Sequence, residues 1–202
     1  MTPKFRSAVV LLLSIAFASL APAQTAAEVE RAAAYLAKTR DAVLASTKGL
    51  SAAQLAFKPA PEKWSVAEVL EHIASTEDYL MALIRDQVMA APARPAGEDV
   101  AAIDDFVLKA IPNRGSKLKA PEPLVPTKRY GSAEGSRRAF TTSRAKTIAF
   151  LKETKGLRDH AIDSPLGRKL DPYQWVLFIA AHSDRHHQQI EEVKTDAKFP
   201  KS

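Results

Sequence analysis

The sequence predicts an all-α fold, a four-helix bundle, and three observations carry that expectation. Four segments, each roughly twenty residues long, repeat apolar side chains at helical spacing. Each segment opens on a residue suited to cap a helix, and no stretch alternates well enough to compete as a strand.

Lys4 and Arg6 precede the apolar run AVVLLLSIAFASLA, which ends at Ala21-Pro22-Ala23. A basic start, a short apolar run and a small-x-small site together describe a secretory signal peptide, residues 1–23, cut after Ala23. The run is too short for a comfortable membrane span, so the expected protein is periplasmic or secreted and free of the membrane once cleaved. The first helix is capped by Thr25, carries Val29, Ala33, Leu36, Val43 and Leu44 along one stripe, and stops at Gly49. The second opens at Ser65, with Glu68 three residues on in a capping-box pattern. Its broad apolar side holds Val66, Val69, Leu70, Ile73, Leu80 and Ile84. Residues 90–131 are rich in proline and read as a long irregular connection, with one or two helical turns in DDFVLKAI. Ser132 or Ser136 opens the third helix, anchored by Phe140, Ile148, Phe150 and Leu151 and closed by Gly156. The fourth has Asp171 as cap and Pro172 at its first position.

The 202 residues, 46% hydrophobic and 26% charged, suit one sizeable core, so residues 24–202 are expected to form a single domain. The absence of cysteine excludes disulfides and thiolate ligands. Removing the leader takes two of the 29 basic residues and none of the 23 acidic ones, leaving a mild excess of +4. The basic residues are scattered and not interleaved with aromatics, so no nucleic-acid or membrane role is expected.

Three of the five histidines fall in AAHSDRHHQQIEEV. His182 and His186 are four apart and share a helix face, whereas His187 points about 100° away from His186. The preceding run from Trp175 to Ala181 is apolar all round, which places this part of the helix deep in the bundle. His72, flanked by Val69, Leu70 and Ile73, is the candidate third ligand. Three imidazoles with an open position suit a catalytic zinc or nickel site. His160 reads as an exposed loop residue. Spacing alone leaves both alternatives open: a shared metal site, or ordinary core and helix-end histidines.

Other chemistries fit worse. A HExxH metalloprotease needs Glu where Ser183 stands. A di-iron carboxylate bundle wants Glu three residues before its histidines, where this chain has Val69, Ile179 and Ser183. No nucleophile elbow or glycine-rich phosphate loop is present.

The stretches KPAPEKWSVAEVLEHIASTE, DHAIDSPLG and DPYQWVLFIAAHSDRHHQQIEEV together resemble the DinB-like family of four-helix metalloenzymes, which includes the bacillithiol transferase type. The resemblance spans nearly all of residues 25–195. It implies an up-down-down-up bundle, often dimeric, with zinc or nickel held by His72, His182 and His186, and with Gln189 and Ile190 matching the family's closing pair. It also implies hydrolysis or thiol S-transfer on a small-molecule substrate that the sequence does not name. Tyr79 and Gln189 lie on faces suited to steady the ligands, and Trp64 and Trp175 could line a pocket. Asp184 and Arg185 read as surface or bundle-edge charges. The alternative is an exported, non-catalytic helical binding or stress-related protein, since cytosolic thiols are scarce outside the cell and no general base is evident.

Overall fold

The computed structural model describes residues 23–115 and 119–201, so the signal-peptide expectation falls almost wholly outside the described residues. Four long helices form the body: α1 (Ala26–Thr47), α3 (Val66–Leu83), α5 (Ala133–Glu153) and α6 (Pro172–Lys194). A short α2 (Ala52–Ala56) bridges the first two, and α4 (Val100–Ala110) lies within the long connection. A π-helical turn at Ile84–Val88 prolongs α3, and a 3-10 turn occupies Glu122–Leu124.

Local chemistry sets the starts. Thr25, Ser65 and Asp171 each cap a helix reciprocally with Glu28, Glu68 and Gln174, so the first amides of α1, α3 and α6 are satisfied. Ser132, rather than Ser136, opens α5 by accepting the Gly135 amide at 3.0 Å.

Cross-helix bonds give the directions. The Tyr173 hydroxyl donates to the Glu28 carbonyl, and that of Tyr35 donates to Asp184, so α1 and α6 run parallel. Arg137 reaches Leu44 and Thr47, and Arg144 reaches Leu36 and Thr39, so α5 runs against α1. One apolar cluster joins Val66–Ala74 to Ile190 and Val193, and another joins Leu80–Ile84 to Trp175–Ala181, so α3 runs against α6. The order is therefore up, down, down, up, as the resemblance implied.

The two apolar clusters are separated by a polar layer. In it Arg144 (0% exposed) donates from Nε and Nη2 to both oxygens of Glu77 at 2.7 and 2.8 Å, and Nη2 also meets the Ser183 hydroxyl at 2.7 Å. Its Nη1 donates to the Leu36 carbonyl and to the Thr39 hydroxyl, and Thr147 donates to Glu77. One guanidinium thereby fastens all four long helices. The expected anchors of α5 are corrected accordingly: Phe140 and Leu151 are buried, but Ile148 and Phe150 are only half-buried. The inward stripe between the two buried anchors is the polar set Ser143, Arg144 and Thr147.

The long connection is more regular than expected. Asp99 caps an eleven-residue α4 whose Ile103 and Val107 are buried in the core. Arg158 clamps its Asp104 with Nη1 and Nη2 at 2.9 and 2.7 Å, while also bonding Asp171 and Glu28 and lying 4.0 Å over the Tyr173 ring. Burial pushes the Asp171 carboxyl up to about 6, with Arg158 and the Gln174 amide pulling it back. A two-stranded hairpin, β1 (Ile162–Asp163) with β2 (Lys169–Leu170), also escaped the sequence reading, because two residues per strand leave no alternation to detect. Among the described residues no helix is long and apolar enough to cross a membrane.

Candidate metal centre

His72 projects from the middle of α3, and His182 and His186 project one turn apart from α6, where the antiparallel crossing brings the three imidazoles together. Ring centroids lie 5.0 Å apart for His72 and His182, 4.6 Å for His72 and His186, and 4.3 Å for His182 and His186. One ligand nitrogen from each lies within 4.8 Å of the others. His72 and His186 are buried, and His182 keeps partial access to solvent.

Two of the three rings are oriented by acceptors. His72 Nδ1 lies 2.8 Å from the Leu124 carbonyl, and His186 Nδ1 lies 2.8 Å from Gln189 Oε1. Since both partners only accept, each Nδ1 carries the proton and each Nε2 presents its lone pair. Burial lowers the His72 pKa. Burial and the neighbouring His186, His72, Arg185 and Arg144 drive His182 well below the ordinary range, and burial and His72 do the same to His186. Three neutral, converging nitrogen donors, two of them with their tautomer set by an acceptor, suit a divalent metal ion, so the residues present fit such an ion.

A family model described as the DinB superfamily matches residues 35–190. This chain belongs to the DinB superfamily. The uncharacterised protein YuaE of Bacillus subtilis (strain 168) is 31% identical over 150 residues, which cover 73% of this chain and 87% of YuaE. Among solved structures, YfiT from Bacillus subtilis matches with a TM-score of 0.54 at 14% identity, over 88% of this chain and 91% of that one. YfiT is described as a probable metal-dependent hydrolase with an unusual four-helix bundle topology, and at that identity the likeness concerns the fold.

Around the three histidines of this DinB-superfamily chain, the expected neighbours divide. Gln189 touches His186, and Trp64 lies 4.8 Å from His72. Trp175 is buried in the core, 5.4 Å from Phe178, which itself stacks on His182 at 6.5 Å. Tyr79, on the face of His72 but two turns further along α3, is 49% exposed. His160 is half-buried and bridged to Ala93 rather than exposed. Arg185 is buried and donates to the carbonyls of Ile111 and Asn113, closing α6 against the end of α4; Asp184 accepts from Tyr35. His187 stays outside the three-histidine group.

Sequence reasoning missed Leu124 and Glu71. A backbone carbonyl has no residue-type signal, and Glu71 looks like any helix-surface acid. Yet Glu71 is 5% exposed and accepts the amides of Thr127, Lys128 and Arg129.

The depressed histidines have a pH consequence. An unfolded histidine titrates near 6.5. Below that the unfolded metal-free chain binds protons that the fold resists, so stability falls as pH falls from about 6.5 toward the lower folded values. In chelator, the Tm drop between pH 7.5 and 5.5 should exceed that of His182→Gln by on the order of 2–4 °C, equivalent to about 1 kcal/mol at this size. Comparing drops cancels the contribution of Asp171. Equal drops in the two proteins would show that His182 is not the source.

Proposed function

We propose that His72, His182 and His186 hold one divalent ion, zinc or nickel, and that the protein is a metal-dependent enzyme acting on a small molecule by hydrolysis or thiol S-transfer. The observation that carries this is the convergence of three neutral imidazoles within 4.8 Å, two of them with Nδ1 already committed. Bound there, the ion supplies Lewis acidity toward water or a thiol. The chain's own residues do the rest. Leu124 and Gln189 hold the Nδ1 protons, and Trp64 and Phe178 shield the rings from bulk water. The Thr76 hydroxyl, one turn beyond His72, and the Trp175 indole N–H, two turns before His182, are buried without a hydrogen-bond partner among the described residues. The leader of residues 1–23 supports export to the periplasm or beyond.

A second reading, an exported binding protein without catalysis, is favoured by one observation. The buried carboxylates nearest the histidines in sequence, Glu71 and Glu77, are committed to backbone amides and to Arg144. A panel of esters, amides and thiol-reactive electrophiles, the last with low-molecular-weight thiols, separates the two. Turnover abolished by chelator and restored by zinc or nickel supports the enzyme. Metal bound at one ion per chain with no turnover across the panel supports the binding protein.

A further inference from the structure

We infer that Glu71 is a positioning residue for His72, acting through the backbone of the connection rather than through the imidazole. The inference rests on the metal-site reading only for its effect on affinity. Glu71 and His72 are consecutive on α3 and point about 100° apart, so the carboxylate does not address the ring directly. Its Oε1 accepts the amides of Thr127 and Arg129 at 2.7 and 3.1 Å, and its Oε2 accepts that of Lys128 at 2.9 Å.

Three successive amides aimed at one anion form a nest, and a nest needs a left-handed residue within it. Lys128 supplies one, at φ 64°. That conformation is unfavourable for a lysine, and the buried carboxylate is the partner that holds it. From there Arg129 turns back, its Nη2 donating to the Pro123 carbonyl at 2.7 Å and to the Val125 carbonyl at 3.4 Å. Its Nε also lies 3.6 Å from Glu71. Between those two carbonyls is Leu124, whose own carbonyl receives His72 Nδ1. The contacts close a ring that starts on Glu71 and ends on the next residue of the same helix. Glu71 thereby sets where the Leu124 carbonyl stands, and that carbonyl sets which nitrogen of His72 keeps its lone pair. His186 is served separately by Gln189 and provides an internal control.

The test uses Glu71→Gln, which keeps the shape but loses the charge and one acceptor oxygen. In metal-free protein at pH 8, ring nitrogen NMR of the wild type should show His72 as the Nδ1–H form. In Glu71→Gln that signal should move toward the Nε2–H form while His186 stays unchanged. Zinc affinity, measured against a competing chelator, should weaken about 10–100-fold. If Glu71→Gln does not fold, Arg129→Ala decides, because Arg129 is exposed and its loss cuts the same ring at another link. It should move the His72 signal in the same direction. A lower Tm with His72 still Nδ1–H and zinc affinity within about twofold of wild type would overturn the inference, since a merely structural Glu71 would give that result. A wild type that binds no zinc at all would sink the metal reading instead, and the metal-free tautomer measurement would still decide the role of Glu71.

Discussion

His182→Ala is expected to leave a folded bundle that holds no metal. The variant removes one of three donors from α6, and the remaining pair offers an ion two nitrogens where the wild type offers three. The fold should survive. His182 is the partly exposed member of the group, its charged form is already disfavoured by burial and its neighbours, and the apolar clusters on either side do not depend on it. Elemental analysis of untagged residues 24–202, purified without chelator, should fall from about one ion per chain to below about a tenth. His72→Ala should give the same loss, which would tie α3 and α6 to one site, and His187→Ala should retain the ion. Full metal retention in His182→Ala would remove the basis of the assignment.

The largest loss of stability is expected from Arg144→Met. Arg144 and Glu77 have side chains 0% and 1% exposed, so removing the guanidinium leaves a carboxylate buried without its counter-ion. Breaking such a pair typically costs about 3–5 kcal/mol, whereas replacing both members with apolar residues costs much less. Urea unfolding of metal-free protein should therefore rank Arg144→Met as less stable than Arg144→Met/Glu77→Leu. The comparison isolates the unpaired charge from the lost packing. A single-variant loss below about 1 kcal/mol would mean that water or another cation reaches Glu77.

The parts of this molecule that could be read in the sequence are those with short-range signatures. Thr25, Ser65 and Asp171 cap helices because their partners lie three residues away, and His182 and His186 share a face because four residues make about one turn. The meeting of His72 with that pair depends on how α3 crosses α6, which spacing does not contain. The family resemblance supplied it. Arg144 was illegible for a different reason. A basic residue on a polar helix normally faces water, and its complete burial follows from Glu77, Thr39 and Ser183 on three other helices. The same applies to α4, whose docking depends on Asp104 meeting Arg158 across 54 residues of chain.

The layer around Arg144 also constrains how the helices can slide. Its guanidinium is fastened at one height to α1, α3 and α6, with apolar clusters on either side. Slipping α5 by one turn, about 5.4 Å, would carry the charge into one of those clusters without a counter-ion. The bundle is keyed along its axis, as a bolt is by a pin. Any opening of the bundle has to swing a connection outward or spread the helix ends, because axial shear between the long helices is blocked.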